Sequence, residues 1–174
     1  YSYYDGKLVS AETRGNGSIG ENILHNAKVI PSIPFQIPYK GELIIDGEII
    51  CKYNDFETFK EEYKNPRNFA AGSIRLLSAK ECGLRKLTFV AWDIIKGMED
   101  NNNLFYKLQD LSEIGFEVVP SMLVKQDTIR NYDNISALID EIRKTADFYS
   151  YPIDGAVIKF NDINYGKSLG STAH

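Results

Sequence analysis

The sequence contains few of the residues that build metal centres or disulfide frameworks. It has two cysteines, Cys51 and Cys82, and two histidines, and neither cysteine belongs to a C-x-x-C pair. Without that spacing or a nearby pair of histidines, a structural zinc site is not expected. We expect both thiols to be reduced and buried.

Long hydrophobic runs and an excess of basic residues are also missing. No stretch approaches the roughly 20 apolar residues that a membrane-spanning helix requires. The opening stretch YSYYDGKLVS has neither the basic nor the apolar region of a secretion signal. The net charge of −4 excludes the chain-wide basic surface of a dedicated nucleic-acid-binding protein. We expect a soluble, cytoplasmic protein in which any contact with a polyanion is local.

The rest of the composition is that of an ordinary globular protein. Of the 174 residues, 43% are hydrophobic and 25% are charged, which is near the average for soluble domains. A chain of this length can bury a sizeable core but is too short for two full domains. The sequence therefore predicts a single domain over residues 1–174.

Secondary structure is predicted from residue types and turn signals. Strands are predicted where branched or aromatic residues cluster, at 43–50, 87–95, 116–124 and 156–160. Helices are predicted at 55–63, with Asn54 and Glu57 as a capping box, at 103–114, closed by Gly115, and at 135–146, preceded by Asn134. Because these segments lack regular βαβ spacing, they predict an α+β domain with mainly antiparallel sheets flanked by helices.

A glycine-rich segment over residues 15–20 has its glycines in G-x-G-x-x-G order. A dinucleotide-binding fingerprint would open a long crossover helix, but only ENILHNAK follows before three prolines between 31 and 38 forbid one. The segment is therefore predicted to be a turn. Arg14 precedes it, and a guanidinium beside backbone that a ligand can approach closely suits phosphate recognition.

Two predicted strands carry residues that an apolar strand does not need. Alternation along the first strand puts Asp46 and Glu48 on one face, roughly 7 Å apart. These carboxylates either face solvent or hold a ribose hydroxyl or an ion. Trp92 either packs in the core or forms one wall of a base pocket.

The segment IDGAVIKF combines an acid with a base. Lys159 is flanked by Ile158 and Phe160, so it is either a surface lysine or an inward one that needs an anion such as phosphate. Strict alternation would put Asp154 and Lys159 on opposite faces of a strand. A shared site would require a bulge, or a position for Asp154 before the regular strand.

The stretch NPRNFAAGSIR sets Arg67 and Arg75 apart and fills the interval almost entirely with small residues. If a helix runs from about Asn68, Arg67 stands at its start and Arg75 lies about 12 Å further along. Free N–H groups at the helix start and little side-chain bulk would suit phosphate oxygens. The alternative is tight helix packing with solvated arginines.

In order and wording, these segments resemble the adenylation domain of bacterial-type NAD-dependent DNA ligases, along nearly the whole chain. That family reads TRGDGxxGE, NPRNxAAGSxR and DGxVxK…LGxT, where this chain reads TRGNGSIGEN, NPRNFAAGSIR, IDGAVIKF and LGST. Asn16 and Asp46 depart from the family's usual aspartate and arginine. The resemblance implies a nucleotidyltransferase fold truncated at both ends, with the nucleophilic-lysine motif upstream of Tyr1 and a final lysine motif beyond His174.

The resemblance also implies an activity. Such enzymes transfer AMP from NAD, with Mg²⁺, to a lysine and then to the 5′-phosphate of a nick in double-stranded DNA, which they seal during DNA replication and repair. A monomer is implied. The alternatives are an ATP- or GTP-dependent nucleotidyltransferase of the RNA ligase or capping type, which NPRNxAAGSxR disfavours, and a non-catalytic nucleotide- or DNA-binding module.

Roles follow from the resemblance by position. The implied catalytic residues are Glu48, Asp154 and Lys159. The implied NAD-binding residues are Arg14, Glu48, Arg67, Trp92 and Lys159, with Glu48 on the ribose, Trp92 on adenine and Lys159 on the phosphate. The implied DNA contacts are Arg14, Arg67 and Arg75. Arg143 is a candidate for a further family arginine, and no metal ligand is assigned.

Overall fold

The computed structural model describes residues 1–15 and 20–170. Asn16 and Gly17 of the glycine-rich segment, and the end of the LGST motif, lie outside these residues. The described elements are the strands β1 (Ser2–Tyr4), β2 (Lys7–Ser10), β3 (Glu42–Cys51), β4 (Leu87–Lys96) and β5 (Glu117–Val118), and the helices α1 (Leu24–Ala27), α2 (Tyr53–Phe56), α3 (Pro66–Ser73), α4 (Ala79–Gly83), α5 (Leu104–Glu113), α6 (Tyr132–Phe148) and α7 (Ile163–Ser168), with a 3-10 turn at Thr128–Arg130.

The strands form one sheet in the order β2-β1-β3-β4-β5. Every pair is antiparallel except β4 with β5, which is parallel. The predicted α+β class with mainly antiparallel pairing is confirmed. No helix in the described part of the chain is long and apolar enough to cross a bilayer.

The longest pairing, β3 with β4, is interrupted by bulges on β4. Asp46 pairs with Asp93 while the next residue, Gly47, pairs with Ala91, so Trp92 is an extra residue without a partner. A bulge of this kind bends its strand and changes the direction of the side chains around it. Because β3 itself is regular, Glu48 lies on the same face as Asp46, as alternation predicts.

The two faces of this pairing have different neighbours. One face packs into the main core, whose largest fully buried side chains include Tyr3, Leu43, Ile45, Phe89 and Leu111. The opposite face carries Glu48 and a small second cluster made of Val90, Ala146 and Tyr151. Cys51 and Cys82 are buried and unbridged, as predicted, and burial raises the pKa of Cys51 to about 11.

Helix α3 begins where the sequence NPRN places a cap. The Asn65 side chain accepts hydrogen bonds from the backbone N–H groups of Arg67, at 2.8 Å, and Asn68, at 3.2 Å, and Pro66 occupies the first helical position. The expectation of free N–H groups here is therefore wrong, because Asn65 already satisfies them. Phe69 anchors the helix by stacking on Phe59, with ring centroids 4.6 Å apart.

Two predicted helices have different bounds. α2 begins at Tyr53 and ends at Phe56, so the capping box of Asn54 and Glu57 is wrong. Turns follow over 57–62, and the rings of Phe59 and Tyr63 both pack on Phe69. α6 begins three residues earlier than predicted. Its N-cap is Asn131, which accepts from the Asp133 N–H at 2.9 Å, and Asn134 lies inside the first turn.

Two predicted strands are largely absent from the described residues. Of 116–124, only Glu117–Val118 is paired. Val119 N–H still donates to Ala91 O at 2.8 Å, but Pro120 has no N–H with which to continue the ladder. Residues 156–160 form no strand, because no sheet edge is hydrogen-bonded to them and their side chains are all exposed.

The segment 152–160 is instead attached at its two ends. Before it, Tyr151 N–H donates to Ala146 O at 2.9 Å and the Tyr151 ring is buried. After it, Asn161 accepts from the N–H groups of Leu104 and Phe105, both at 2.9 Å. These contacts join the segment to the end of α6 and the start of α5.

The contact between Gly47 and β4 generates a stability prediction. A Cβ on Gly47 would lie 2.3 Å from Val90 O and 2.4 Å from the Phe89 ring, whereas a Cβ on Gly72 of α3 would meet nothing within 4 Å. We expect Gly47→Ala to lower the free energy of unfolding by about 3 kcal/mol, because the two strands must separate. Gly72→Ala should raise it by about 0.5 kcal/mol, because alanine favours helix. Urea denaturation of the full-length protein measures both, and similar values for the two variants would contradict the strand contact.

Candidate functional site

Two acids that the sequence singled out separately, Glu48 and Asp154, both contact Arg67. Arg67 Nη1 lies 2.9 Å from Asp154 Oδ2, and Arg67 Nε lies 3.8 Å from Glu48 Oε1. We call these residues the Arg67 cluster. Glu48 comes from β3, Arg67 from the first turn of α3 and Asp154 from the exposed segment after α6. Because these side chains are largely exposed, their ion pairs contribute little to stability. The cluster instead shows that β3, α3 and the segment after α6 bring their candidate site residues together.

Lys159 joins the same face of the sheet. Its Nζ lies 3.8 Å from Asp93 Oδ2, and Asp93 is paired with Asp46 across the β3–β4 ladder, on the face that also carries Glu48. Lys159 therefore contacts this face directly, whereas Asp154 is joined to it through Arg67, which also contacts Glu48. The objection from strand alternation does not apply, because the segment that carries them is not a strand.

Trp92 projects from the bulge of β4, directly before Asp93 in the chain. Its side chain is part of the exposed surface, with 41% of the residue accessible. The core interpretation of Trp92 is therefore wrong. An aromatic ring that is exposed yet fixed on a central strand can still receive a flat ligand by stacking.

A buried tyrosine fixes the chain just before Asp154. The Tyr151 hydroxyl donates to Glu117 Oε2, Lys52 Nζ lies 3.1 Å from Glu117 Oε1, and the same ammonium lies 5.5 Å from the centre of the Tyr151 ring. Burial, and then the hydrogen bond to Glu117, raise the pKa of Tyr151 above its ordinary value. Tyr151 thus ties the start of the Asp154 segment to β5.

Arg75 lies just past the other end of α3 and contacts Glu21, the residue that follows the glycine-rich segment. Its Nε is 3.0 Å from Glu21 Oε2. The base of that segment is closed where Thr13 N–H donates to Glu21 O at 2.9 Å, and Gly20 fits there because a Cβ would lie 2.2 Å from Thr13 O. Arg14 is exposed beside this closure. The length of α3 therefore separates Arg75 from the Arg67 cluster.

The small residues of α3 are divided between two surfaces. Ala70 and Ser73 are buried, as tight helix packing requires, whereas Ala71 and Gly72 are exposed between the two arginines. The exposed face of α3 is thus a smooth surface with a guanidinium near each end. The packing interpretation is therefore confirmed for Ala70 and Ser73, and phosphate binding at the exposed residues stays a prediction.

Arg143 lies on α6, near but outside the Arg67 cluster. It is paired with Asp140 of the same helix at 3.4 Å. Together with Ile139, Ile142 and the segment 153–156, it lines a cavity of about 140 Å³ that Asp154 also borders. The structure brings Arg143 to the neighbourhood of Asp154 without direct contact between them.

Sequence reasoning missed two acids that the structure pairs with candidate cations. Asp93 pairs with Lys159, and Glu21 pairs with Arg75. Asp93 carries the signal that was used for Glu48, an acid within an apolar strand. Glu21 carries no local signal, because its partner is distant in sequence.

The described residues contain no group of three or more histidine, cysteine or acidic side chains that could hold a metal ion. The nearest acids to the site are instead paired with Arg67 and Lys159. A Mg²⁺ ion fits such a site when substrate phosphates and waters supply most of its ligands, together with one or two carboxylates.

Comparison with known proteins gives one consistent result. The family model described as NAD-dependent DNA ligase adenylation domain matches residues 1–174. The chain is 41% identical over 181 residues to a DNA ligase of Lachnoclostridium phytofermentans, and 38% identical over 181 residues to one of Ruminiclostridium cellulolyticum. It is 38% identical over 178 residues to a DNA ligase of Helicobacter hepaticus. These alignments cover 98–99% of this chain but 27% of each relative, so the chain spans about a quarter of their length.

The buried hydroxyl of Tyr151 generates a prediction about pH. Because its pKa is higher in the folded state, the unfolded chain loses this proton first, at about pH 10. The stability that it contributes is therefore complete below pH 10 and declines as the pH rises further. We expect Tyr151→Phe to lower stability at pH 7 and to reduce the alkaline decline by up to about 1.4 kcal/mol per pH unit. The measurement is urea denaturation between pH 7 and 11. The exposed Tyr132→Phe is the control, and an unchanged alkaline slope in Tyr151→Phe would contradict the assignment.

Proposed function

Because the chain belongs to the family of NAD-dependent DNA ligase adenylation domains, we propose that it is the nucleotide-transfer part of an enzyme that seals nicks in DNA. In this reaction a lysine amine takes AMP from NAD and nicotinamide mononucleotide leaves. The AMP then passes to the 5′-phosphate of the nick, and the adjacent 3′-hydroxyl attacks that phosphate and releases AMP. The observation that carries the proposal is the convergence of Glu48, Arg67, Asp154 and Lys159 on one sheet face in a member of this family.

The chemical difficulty of the first step is charge. Phosphates repel a nucleophile, and a protonated lysine cannot attack. Cations placed at the phosphate stabilise the charge that develops on it and lower the pKa of a nearby lysine. Arg67 and Lys159 supply two such cations, and both are exposed enough to exchange a carboxylate partner for a phosphate.

The remaining site residues are proposed to bind the adenosine. Glu48, fixed on a regular strand, would accept a hydrogen bond from the ribose, and the exposed indole of Trp92 would stack on adenine. Asp154 would hold Arg67 in place or assist a bound Mg²⁺. When bound with NAD, Mg²⁺ would neutralise phosphate charge.

The exposed face of α3 and the nearby Arg14 are proposed to contact DNA. Arg14 and Arg75 would bind phosphates of the nicked strand, and Arg67 would serve the AMP phosphate at the other end of the helix. A net charge of −4 is compatible with this because the proposed contact is local. Replacing the exposed Ala71 or Gly72 with a large residue would obstruct the same surface.

The proposed reaction also suggests the cellular process, the compartment and the partner of the protein. We propose that the protein acts in DNA replication and repair, in the cytoplasm, as a monomer, with nicked double-stranded DNA as its partner. The family match argues against an ATP- or GTP-dependent transferase, because the family is defined by its use of NAD.

Protein labelling tests the proposal directly. The full-length protein is incubated with adenylate-labelled NAD or ATP and Mg²⁺, denatured, and examined for label on the protein. We expect label from NAD only. We expect Glu48→Ala and Lys159→Ala each to reduce labelling by roughly 100-fold, as the loss of one preorganised polar contact does in other enzymes. The exposed Glu61→Ala and Lys64→Ala are matched controls, and near-normal labelling of both site variants would refute the assignment.

Arg75 provides a test of the DNA contact. We expect Arg75→Ala to impair nick sealing more than lysine labelling, because the residue lies away from the Arg67 cluster. The slope of log K for nicked DNA against log salt concentration should also become less steep by about one, since one phosphate contact is removed. Gel-shift titrations at salt concentrations from about 50 to about 200 mM measure this slope. Arg130→Ala is the control, and equal loss of labelling and sealing in Arg75→Ala would contradict the division of roles.

A further inference from the structure

A fully buried asparagine holds the backbone on both sides of Arg75. Asn26, in helix α1, is 0% exposed, and its Nδ2 donates to Ile74 O and to Leu76 O, each at 2.7 Å. Since both partners are carbonyl oxygens, the amide nitrogen must face them. These carbonyls lie past the end of α3, where a helix no longer supplies N–H partners. One side chain therefore holds the carbonyl groups of the two residues that flank Arg75.

The arrangement is costly for an interior residue. Asn26 Oδ1 is also buried, and it has no hydrogen-bond partner. A buried polar atom without a partner reduces stability, so an apolar side chain would avoid this penalty. Packing alone does not account for a carboxamide here, whereas the two hydrogen bonds to the residues around Arg75 do.

Two residues close to Asn26 in the chain, Glu21 and His25, also contact Arg75 or its neighbour. Glu21 pairs with the guanidinium at 3.0 Å, and His25 Nε2 lies 3.1 Å from Leu76 O. Residues 21–26 thus reach Arg75 through its side chain and through its neighbouring backbone. Arg14 follows Thr13, whose N–H donates to Glu21 O, and Glu21 pairs with Arg75. The position of Arg14 relative to Arg75 therefore depends on Glu21.

We propose that Asn26 is a positioning residue for Arg75 in nick sealing, an inference that rests on the function proposed above. Asn26 touches no substrate, because it is buried. It acts by fixing where the Arg75 guanidinium stands at the end of α3, and it links that guanidinium to the segment that carries Arg14. Loss of Asn26 should therefore resemble loss of Arg75.

The test uses full-length protein and a nick that is already adenylated, which isolates the sealing step from lysine labelling. We expect Asn26→Ala to raise the KM for this DNA about tenfold while lysine labelling stays within twofold of wild type. Asn22→Ala is the matched control. It removes an exposed asparagine that lies just before α1 and accepts from Leu24 N–H at 2.9 Å, a hydrogen bond that involves neither α3 nor the residues around Arg75. Its KM should stay within twofold.

A double-mutant cycle separates positioning from a general loss of stability. In an Arg75→Ala background, Asn26→Ala should change the KM less than twofold, because the group that it positions is already absent. The same tenfold change in both backgrounds would overturn the proposal, as would equal losses of labelling and sealing. If Asn26→Ala does not fold, Asn26→Ser takes its place, because water can fill the smaller polar space beside the two carbonyls.

The wild-type protein distinguishes the two levels of failure. If it is neither labelled by NAD nor able to seal the nick, the proposed function and the role of Asn26 both fall. If the wild type does both and the Asn26 variants keep a normal KM, the role of Asn26 alone falls.

Discussion

The pairing of β3 with β4 is the constraint on which the candidate site depends. Gly47 lets the two backbones pass against Phe89 without a side chain between them, and the Trp92 bulge then sets Asp93 opposite Asp46. One face of this ladder is committed to the core, which leaves the other face for charged side chains. The Arg67 cluster forms because α3 and the segment after α6 both meet that second face.

Charge balance within the site is local. Among the described residues, Arg67, Arg75 and Lys159 each lie within 4 Å of a carboxylate, which accounts for how an acidic chain carries several exposed cations near one surface. Exposed ion pairs of this kind are nearly neutral in stability. They therefore exchange partners at little cost, and a site for phosphates needs that property more than it needs rigid pairs.

Local signals in the sequence were sufficient for some features. Alternation placed Asp46 and Glu48 on one face, and Gly115 ended α5. Local signals failed where contacts with residues distant in the chain determine the structure. Residues 156–160 have strand-forming side chains but no ladder, and the N–H groups at the start of α3 are satisfied by Asn65. The contacts of Glu21 and Asn26 were missed because each has a partner far away in the chain.

The attachment of residues 152–160 at both ends has a consequence for how this protein can vary in length. Exposed segments without secondary structure ordinarily accept insertions and deletions. Here Tyr151 and Asn161 are held by separate elements, and between them Asp154 contacts Arg67 of α3 while Lys159 contacts Asp93 of β4. A single added residue would displace one contact or the other. An apparently free surface loop is thus held to a fixed residue count, as strictly as a paired strand is.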